Sequence, residues 1–218
     1  MNTLEFDSLY LEFGMQQVLS SIHMKCTTSQ IVGLLGRNGS GKSCLIKVVL
    51  GTMQAGSKSV RFNGSYLTGN YLKRRIISYL PQTDLLPSFI TFSHALKLYN
   101  IDAERITTRC PELVQHFAKH PSAVSGGQRR LFEVLLVIYS SSPICILDEP
   151  FSGLEPLQVE MVLQILQEEK KHKGFIITDH LHRSIRSIAD DLYVLANATT
   201  YKIVNDEQLL ELGYLANL

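Results

Sequence analysis

Residues 31–50 read IVGLLGRNGSGKSCLIKVVL: an apolar run at Ile31–Leu35, a glycine-rich turn, and an apolar helix from Ser43 to about Leu50. A continuous apolar run is the pattern of a strand buried on both faces. The turn, Gly36 to Ser43, fits the spacing G-x-x-x-x-G-K-[ST], and the strand before and helix after it supply the context that spacing requires. Glycines at 36, 39 and 41 let the backbone curl until successive N–H groups point at phosphate oxygens. The helix that follows adds its positive dipole end. Lys42 is placed to reach β- and γ-phosphates, Ser43 to offer a hydroxyl to Mg²⁺, and Asn38, Ser40 and Cys44 complete the expected contact set. The bland alternative, a glycine loop ahead of a core helix, is disfavoured by that context.

A complementary segment lies a hundred residues on. ICILDEP, Ile144 to Pro150, opens with a strand-forming apolar run, so Asp148 emerges at the carboxyl end, where open α/β sheets bind ligands. A carboxylate there can hold a metal directly or through water. Glu149, next in line, can orient and deprotonate an attacking water. Alone, an Asp-Glu pair after a strand could be a helix cap; with the glycine turn it describes a site for a nucleoside triphosphate and its metal.

Strand signals dominate the N-terminal part: Leu9–Phe13 and Val18–Cys26 with a bend at Gly14, then Val60–Phe62 ahead of Asn63-Gly64, a hairpin turn, then Ile76–Leu80 closed by Pro81. Over residues 84–123 the strand signal fades, and two short helices are expected at Ser93–Tyr99 and Glu112–Lys119, between Pro87, Pro111 and Pro121. Strands and helices then alternate. Ser125 caps a helix with Leu131, Val134, Leu135 and Ile138 on one face, Ile144–Leu147 is a buried strand, and a second helix carries Val159, Val162, Leu163 and Leu166. Lys170 to Lys173 fall in or just beyond its last turn, and Phe175–Ile177 and Leu192–Leu195 add two strands. Such alternation argues for a parallel sheet with helices on both faces.

Composition narrows the function class. The net charge is +1, with no block of like charge, which suits neither a nucleic-acid surface nor an acidic tail. Cys26, Cys44, Cys110 and Cys145 form no CxxC pair, so reduced thiols in a cytosolic setting are expected rather than a disulfide frame or zinc site. Asn2, Glu5 and Asp7 interrupt any leader-like opening, and no apolar run approaches the ~20 residues needed to span a bilayer. A role at a membrane would therefore require docking onto a separate membrane subunit.

VSGGQ, Val124 to Gln128, ends 20 residues before Asp148 and offers a serine hydroxyl, two glycine amides and a helix N-terminus. With the glycine turn, a glutamine after a strand at Gln82, ICILDEP, and Thr178-Asp179-His180 after another strand, it gives five segments in fixed order. In that order, from Leu9 to about Leu212, the chain resembles the ATP-binding subunits of ABC transporters.

The resemblance implies an α/β fold: a P-loop NTPase (RecA-like) parallel core with an N-terminal antiparallel β subdomain, residues 1–83 and 124–218, and a helical subdomain at 84–123, all in one domain. It implies ATP and Mg²⁺ as ligands, with hydrolysis coupled to transport. Ser125, Gly126, Gly127 and Gln128 would contact ATP held by the opposite subunit, Gln82 would sense the metal and the membrane partner, and His180 would contact the γ-phosphate. Phe13, 23 residues before Gly36, matches the aromatic that stacks on adenine, with Tyr10 as competitor. Implied partners are a transmembrane permease and a second ATP-binding subunit, identical or paralogous, and the implied place is the cytoplasmic face of a membrane. Departures are Val124 for leucine, Cys44 for threonine, and Glu155 where aspartate is usual in a loop that couples the two sites. The other classes considered are a non-transport ABC ATPase and a regulatory module that holds ATP with little hydrolysis.

Overall fold

A computed structural model describes residues 1–68, 75–212 and 214. The strands are β1 (Thr3–Phe13), β2 (Gln16–Leu19), β3 (His23–Thr27), β4 (Ile31–Leu35), β5 (Ser57–Phe62), β6 (Ser65–Tyr66), β7 (Ile77–Leu80), β8 (Ile144–Asp148), β9 (Gly174–Thr178), β10 (Asp191–Ala196) and β11 (Thr199–Ile203). The helices are α1 (Lys42–Val49), α2 (Phe92–Tyr99), α3 (Ala103–Thr107), α4 (Gly126–Tyr139), α5 (Pro156–Glu169), α6 (His182–Ile188) and α7 (Asp206–Glu211), with 3₁₀ turns at Pro111–His116 and Pro121–Ala123.

One sheet runs β11-β10-β4-β9-β8-β7, parallel throughout except for the antiparallel edge strand β11. Every residue of β4, β8 and β9 is buried, because α1 and the second sheet cover one face while α4, α5 and α6 cover the other. The second sheet is antiparallel, ordered β2-β1-β5-β6 with β3 also on β1. Leu4, Phe6, Met24 and Val60 from it meet Val32, Leu34, Ile146 and Ile176 of the parallel sheet and Leu45 and Val49 of α1.

Three expectations are corrected. The first strand starts at Thr3, not Leu9, because Thr3–Asp7 pairs with both β3 and β5. The single strand expected over Val18–Cys26 is two, β2 and β3, and their break faces the point where Ser8 takes φ 55° and the β1–β5 register shifts. The helix expected over Glu112–Lys119 is a 3₁₀ turn at Pro111–His116, since the stretch between Pro111 and Pro121 is too short to sustain an α-helix. Helix α3, with Asp102 as its cap, was not foreseen; nor were α6, α7 and β11.

Elsewhere the local chemistry acts as its residue types dictate. Asn63 and Gly64 both take positive φ, 51° and 78°, and turn β5 into β6. Ser125 caps α4 by accepting the Gln128 amide, while Gln128 Oε1 accepts the Ser125 amide, a reciprocal capping box. Pro156 opens α5 at a position where its missing N–H costs nothing. Helix α4 is buried on all sides from Arg130 to Tyr139, rather than on one face, because β7 and β8 lie against one side and α2 and α5 against the others.

Candidate functional site

Three strand ends, those of β7, β8 and β9, and two turns converge on one cavity of about 450 Å³. It is lined by Phe13, Gln16, Val18, the turn Asn38–Cys44, Gln82, Glu149 and His180. Parallel pairing of β4, β9 and β8 brings the carboxyl ends of these strands to the same edge, so the glycine turn, Asp148-Glu149 and Thr178-Asp179-His180 emerge side by side. Gln82 joins them because β7 pairs with β8 and ends two residues earlier.

The turn itself is shaped for an anion. Gly39 and Gly41 take φ 78° and 103°, and a Cβ on Gly41 would fall 2.9 Å from the Val18 side chain, so residue 41 must be glycine on two counts. Lys42 is 8 % exposed, and its Nζ donates to the Gly36 carbonyl at 2.7 Å and the Arg37 carbonyl at 3.3 Å. Burial lowers its pKa, while the charges of Glu149 and Asp148 oppose the shift. Ser40 Oγ is buried with no hydrogen-bond partner among the described residues, an orphaned polar atom inside the turn.

Opposite the turn stand the carboxylates. Asp148 is 2 % exposed; its Oδ2 accepts from Ser43 Oγ at 3.2 Å and its Oδ1 from Thr178 Oγ1 at 2.5 Å. Ser43 and Asp148 thus present hard oxygen donors side by side, the kind Mg²⁺ takes. Tyr79 lies close by: burial first, then the charge of Asp148 and a hydrogen bond to it, push the phenol pKa up. Glu149 is held from both sides, its Oε2 accepting Gln82 Nε2 at 2.9 Å and its Oε1 lying 2.9 Å from His180 Nε2. Its backbone takes φ 52°, a left-handed conformation that a non-glycine residue keeps only where its surroundings impose it. The Glu149 amide donates to the Thr178 carbonyl at 2.8 Å, which ties the turn to β9. Asp179, raised in pKa by burial, uses both oxygens on backbone amides, those of Phe151 and Leu181.

The structure therefore gathers Phe13, Asn38, Gly39, Ser40, Gly41, Lys42, Ser43, Cys44, Gln82, Glu149 and His180 around one cavity, with Gly36 and Asp148 bonded to residues that line it. Phe13 is 54 % exposed at the mouth, whereas Tyr10 is not among the lining residues and hydrogen bonds to Glu12. Ser125, Gly126, Gly127 and Gln128 are not brought there. Gly126 and Gly127 instead border a separate groove with Asp84, Arg129, Arg130, Glu133, Ser152 and Gly153, and Gln82 alone lines both. A Cβ on Gly127 would sit 2.7 Å from the Gly153 carbonyl, so this glycine is required by close packing within the chain. Reading the sequence missed Arg130 and Tyr79 as parts of the site, and named Thr178 only as the start of the segment that ends at His180. An arginine one turn into a helix reads as a solvated residue, and nothing local shows that it is buried.

Comparison with known proteins agrees with this fold. Residues 19–152 match the family model described as ABC transporter. The high-affinity branched-chain amino acid transport ATP-binding protein BraG of Pseudomonas aeruginosa is 26 % identical over 209 residues, 89 % of each chain. The lipopolysaccharide export system ATP-binding protein LptB of Haemophilus influenzae is 26 % identical over 230 residues, 96 % of this chain and 95 % of its own. A solved ATP binding subunit of an ABC transporter superposes with a TM-score of 0.84 at 27 % identity, over 97 % of this chain and 93 % of the other.

Proposed function

Because this chain belongs to the ABC transporter family, we propose that it is the subunit that binds ATP with Mg²⁺, hydrolyses it, and so drives a separate transmembrane permease. The observation that carries the reading is the grip of Gln82 and His180 on the Glu149 carboxylate, across one cavity from the glycine turn and Lys42. No helix among the described residues is long and apolar enough to cross a membrane; on this reading a partner supplies the membrane-spanning part.

On this reading Lys42 exchanges the carbonyls of Gly36 and Arg37 for β- and γ-phosphate oxygens, and the amides of residues 39–43 cradle the same phosphates. Phe13 stacks on the adenine at the cavity mouth. Ser43 Oγ and the Asp148 carboxylate would hold Mg²⁺, whose charge would offset that of the triphosphate. Thr178 keeps Asp148 oriented from behind. Glu149 then takes a proton from a water as its oxygen bonds to the γ-phosphorus; the bond to the β–γ bridging oxygen breaks and ADP leaves with that electron pair. Gln82 and His180 fix the carboxylate for that transfer.

The serine-glycine start of α4 lies outside its own cavity, and a second ATP-binding subunit related by a two-fold axis would bring it over the triphosphate of the first. ATP, bound between two such faces, would favour the closed pair, and hydrolysis would release it. The test is Glu149→Gln. Binding of ATP should persist, turnover should fall roughly 10²–10⁴-fold, and an ATP-stabilised dimer should accumulate in sedimentation. Normal turnover in that variant would exclude Glu149 as the base.

A further inference from the structure

Arg130 lies on α4, one turn beyond Ser125, and is 7 % exposed. Its guanidinium is spent on three main-chain carbonyls. Nη1 donates to Pro81 O, and Nη2 donates to both Asp148 O and Glu149 O, each at 2.8 Å. Pro81 immediately precedes Gln82, so one side chain touches the backbone of both segments that meet at the cavity. Glu133, one turn further on and 1 % exposed, continues the grip: its Oε1 accepts the amides of Leu85 and Leu86 at 3.0 Å, and its Oε2 is 3.8 Å from Arg130 Nη1.

The effect on Glu149 is specific. The peptide between Asp148 and Glu149 is pinned at both edges, its carbonyl by Arg130 and its N–H by the Thr178 carbonyl. The peptide after Glu149 is pinned by Arg130 as well. With both flanking peptides held, rotation about the Cα of Glu149 is restrained, which favours φ 52° at a non-glycine residue. Relaxation of that turn to an ordinary conformation would swing the carboxylate away from Gln82 and His180. We infer that Arg130 is a positioning residue, which holds Glu149 in its left-handed conformation and keeps the Gln82 segment in register with it. Arg130 does not line the nucleotide cavity and acts only through these backbone contacts. The inference rests on the ATPase reading for its kinetic consequence, though not for its structural one.

The full chain carries the test, in three variants: Arg130→Met, Arg130→Lys, and Arg130→Met with Glu133→Gln, which avoids leaving the Glu133 charge buried without its cation. Steady-state kinetics should show kcat down about 10²-fold in Arg130→Met, as expected for a small misplacement of a reacting group, with KM and ATP affinity within about threefold of wild type. Arg130→Lys, with one donor head in place of a fork, should recover part of kcat. In a Glu149→Gln background Arg130→Met should add nothing to the loss seen in single turnover, because both changes remove the same function. Amide exchange should rise at least tenfold over residues 147–153 and 81–86 and stay unchanged over 31–35. Wild-type kcat in Arg130→Met, unchanged exchange over 147–153, or an additive loss on top of Glu149→Gln would each overturn the inference. A wild-type chain without turnover would sink the ATPase reading, and the exchange measurement would then decide the role of Arg130 alone. Should Arg130→Met fail to fold, the double variant takes the same measurements.

Discussion

Lys42 shows how little freedom the lysine of the glycine turn retains. It is buried against its own turn, with two carbonyls as partners and the charges of Asp148 and Glu149 near enough to counter the effect of burial. No other lysine or arginine lines the cavity among the described residues. Lys42→Ala should therefore abolish ATP binding, measured by titration calorimetry; unchanged affinity would remove the glycine turn from the phosphate site. Phe13 is a second separable contact. Base–aromatic stacking is worth about 1–3 kcal/mol, so Phe13→Ala should weaken ATP binding by roughly 5- to 150-fold, read with a fluorescent nucleotide. Tyr10→Ala should leave affinity unchanged, since Tyr10 points its hydroxyl at Glu12 and lies outside the cavity. The sequence had left these two aromatics open, because both lie in β1 and only the three-dimensional position of the glycine turn separates them.

Helix α4 bears on several parts of the molecule at once. Its first turn offers Ser125, Gly126 and Gly127, its second carries Arg130 and Glu133, and its end is closed by a side chain from elsewhere. Lys173, just before β9, is buried and donates Nζ to the carbonyls of Ile138 and Ser140 at the C-terminus of α4. Burial lowers its pKa, but the negative end of the helix is a favourable neighbour. By sequence, Lys170 to Lys173 appeared to serve the end of α5. The structure sends Lys170 to Asp190 and Lys173 to α4 instead, because the chain turns sharply into β9 after Glu169. Lys173→Met should lower stability by about 1–3 kcal/mol in denaturant midpoint, since buried carbonyls lose their donor. ATP affinity should not change; a parallel loss of affinity would mean that α4 and the glycine turn unfold together.

Assembly is where one chain falls short of the reaction proposed for it. Each copy presents a cavity with a glycine turn on one side and a serine-glycine helix start outside that cavity, so two copies related by a two-fold axis can each supply what the other lacks. Ser125→Arg should leave ATP binding by a single chain intact and block ATP-driven dimerisation, followed by sedimentation with ATP in the Glu149→Gln background. A dimer that survives the substitution would place the start of α4 away from the interface. Glu155 caps the start of α5 through its amide, which donates to Gln158 Oε1 at 3.0 Å, and its carboxylate side is exposed, open to a partner chain.

What could be read from the residues alone was local. Apolar runs marked the buried strands, the spacing of glycine, lysine and serine marked the glycine turn, and Ser125 marked the start of α4, because each depends on neighbours within a few positions of the chain. The order of these segments pointed to the family that the comparisons support. The split of Val18–Cys26 into two strands, the burial of Arg130 and Lys173, and the left-handed turn at Glu149 could not be read that way. Each is set by a partner outside its own local stretch of chain, as Arg130 is by Pro81, and a polar side chain chooses between water and such a partner only once the sheet has closed around it.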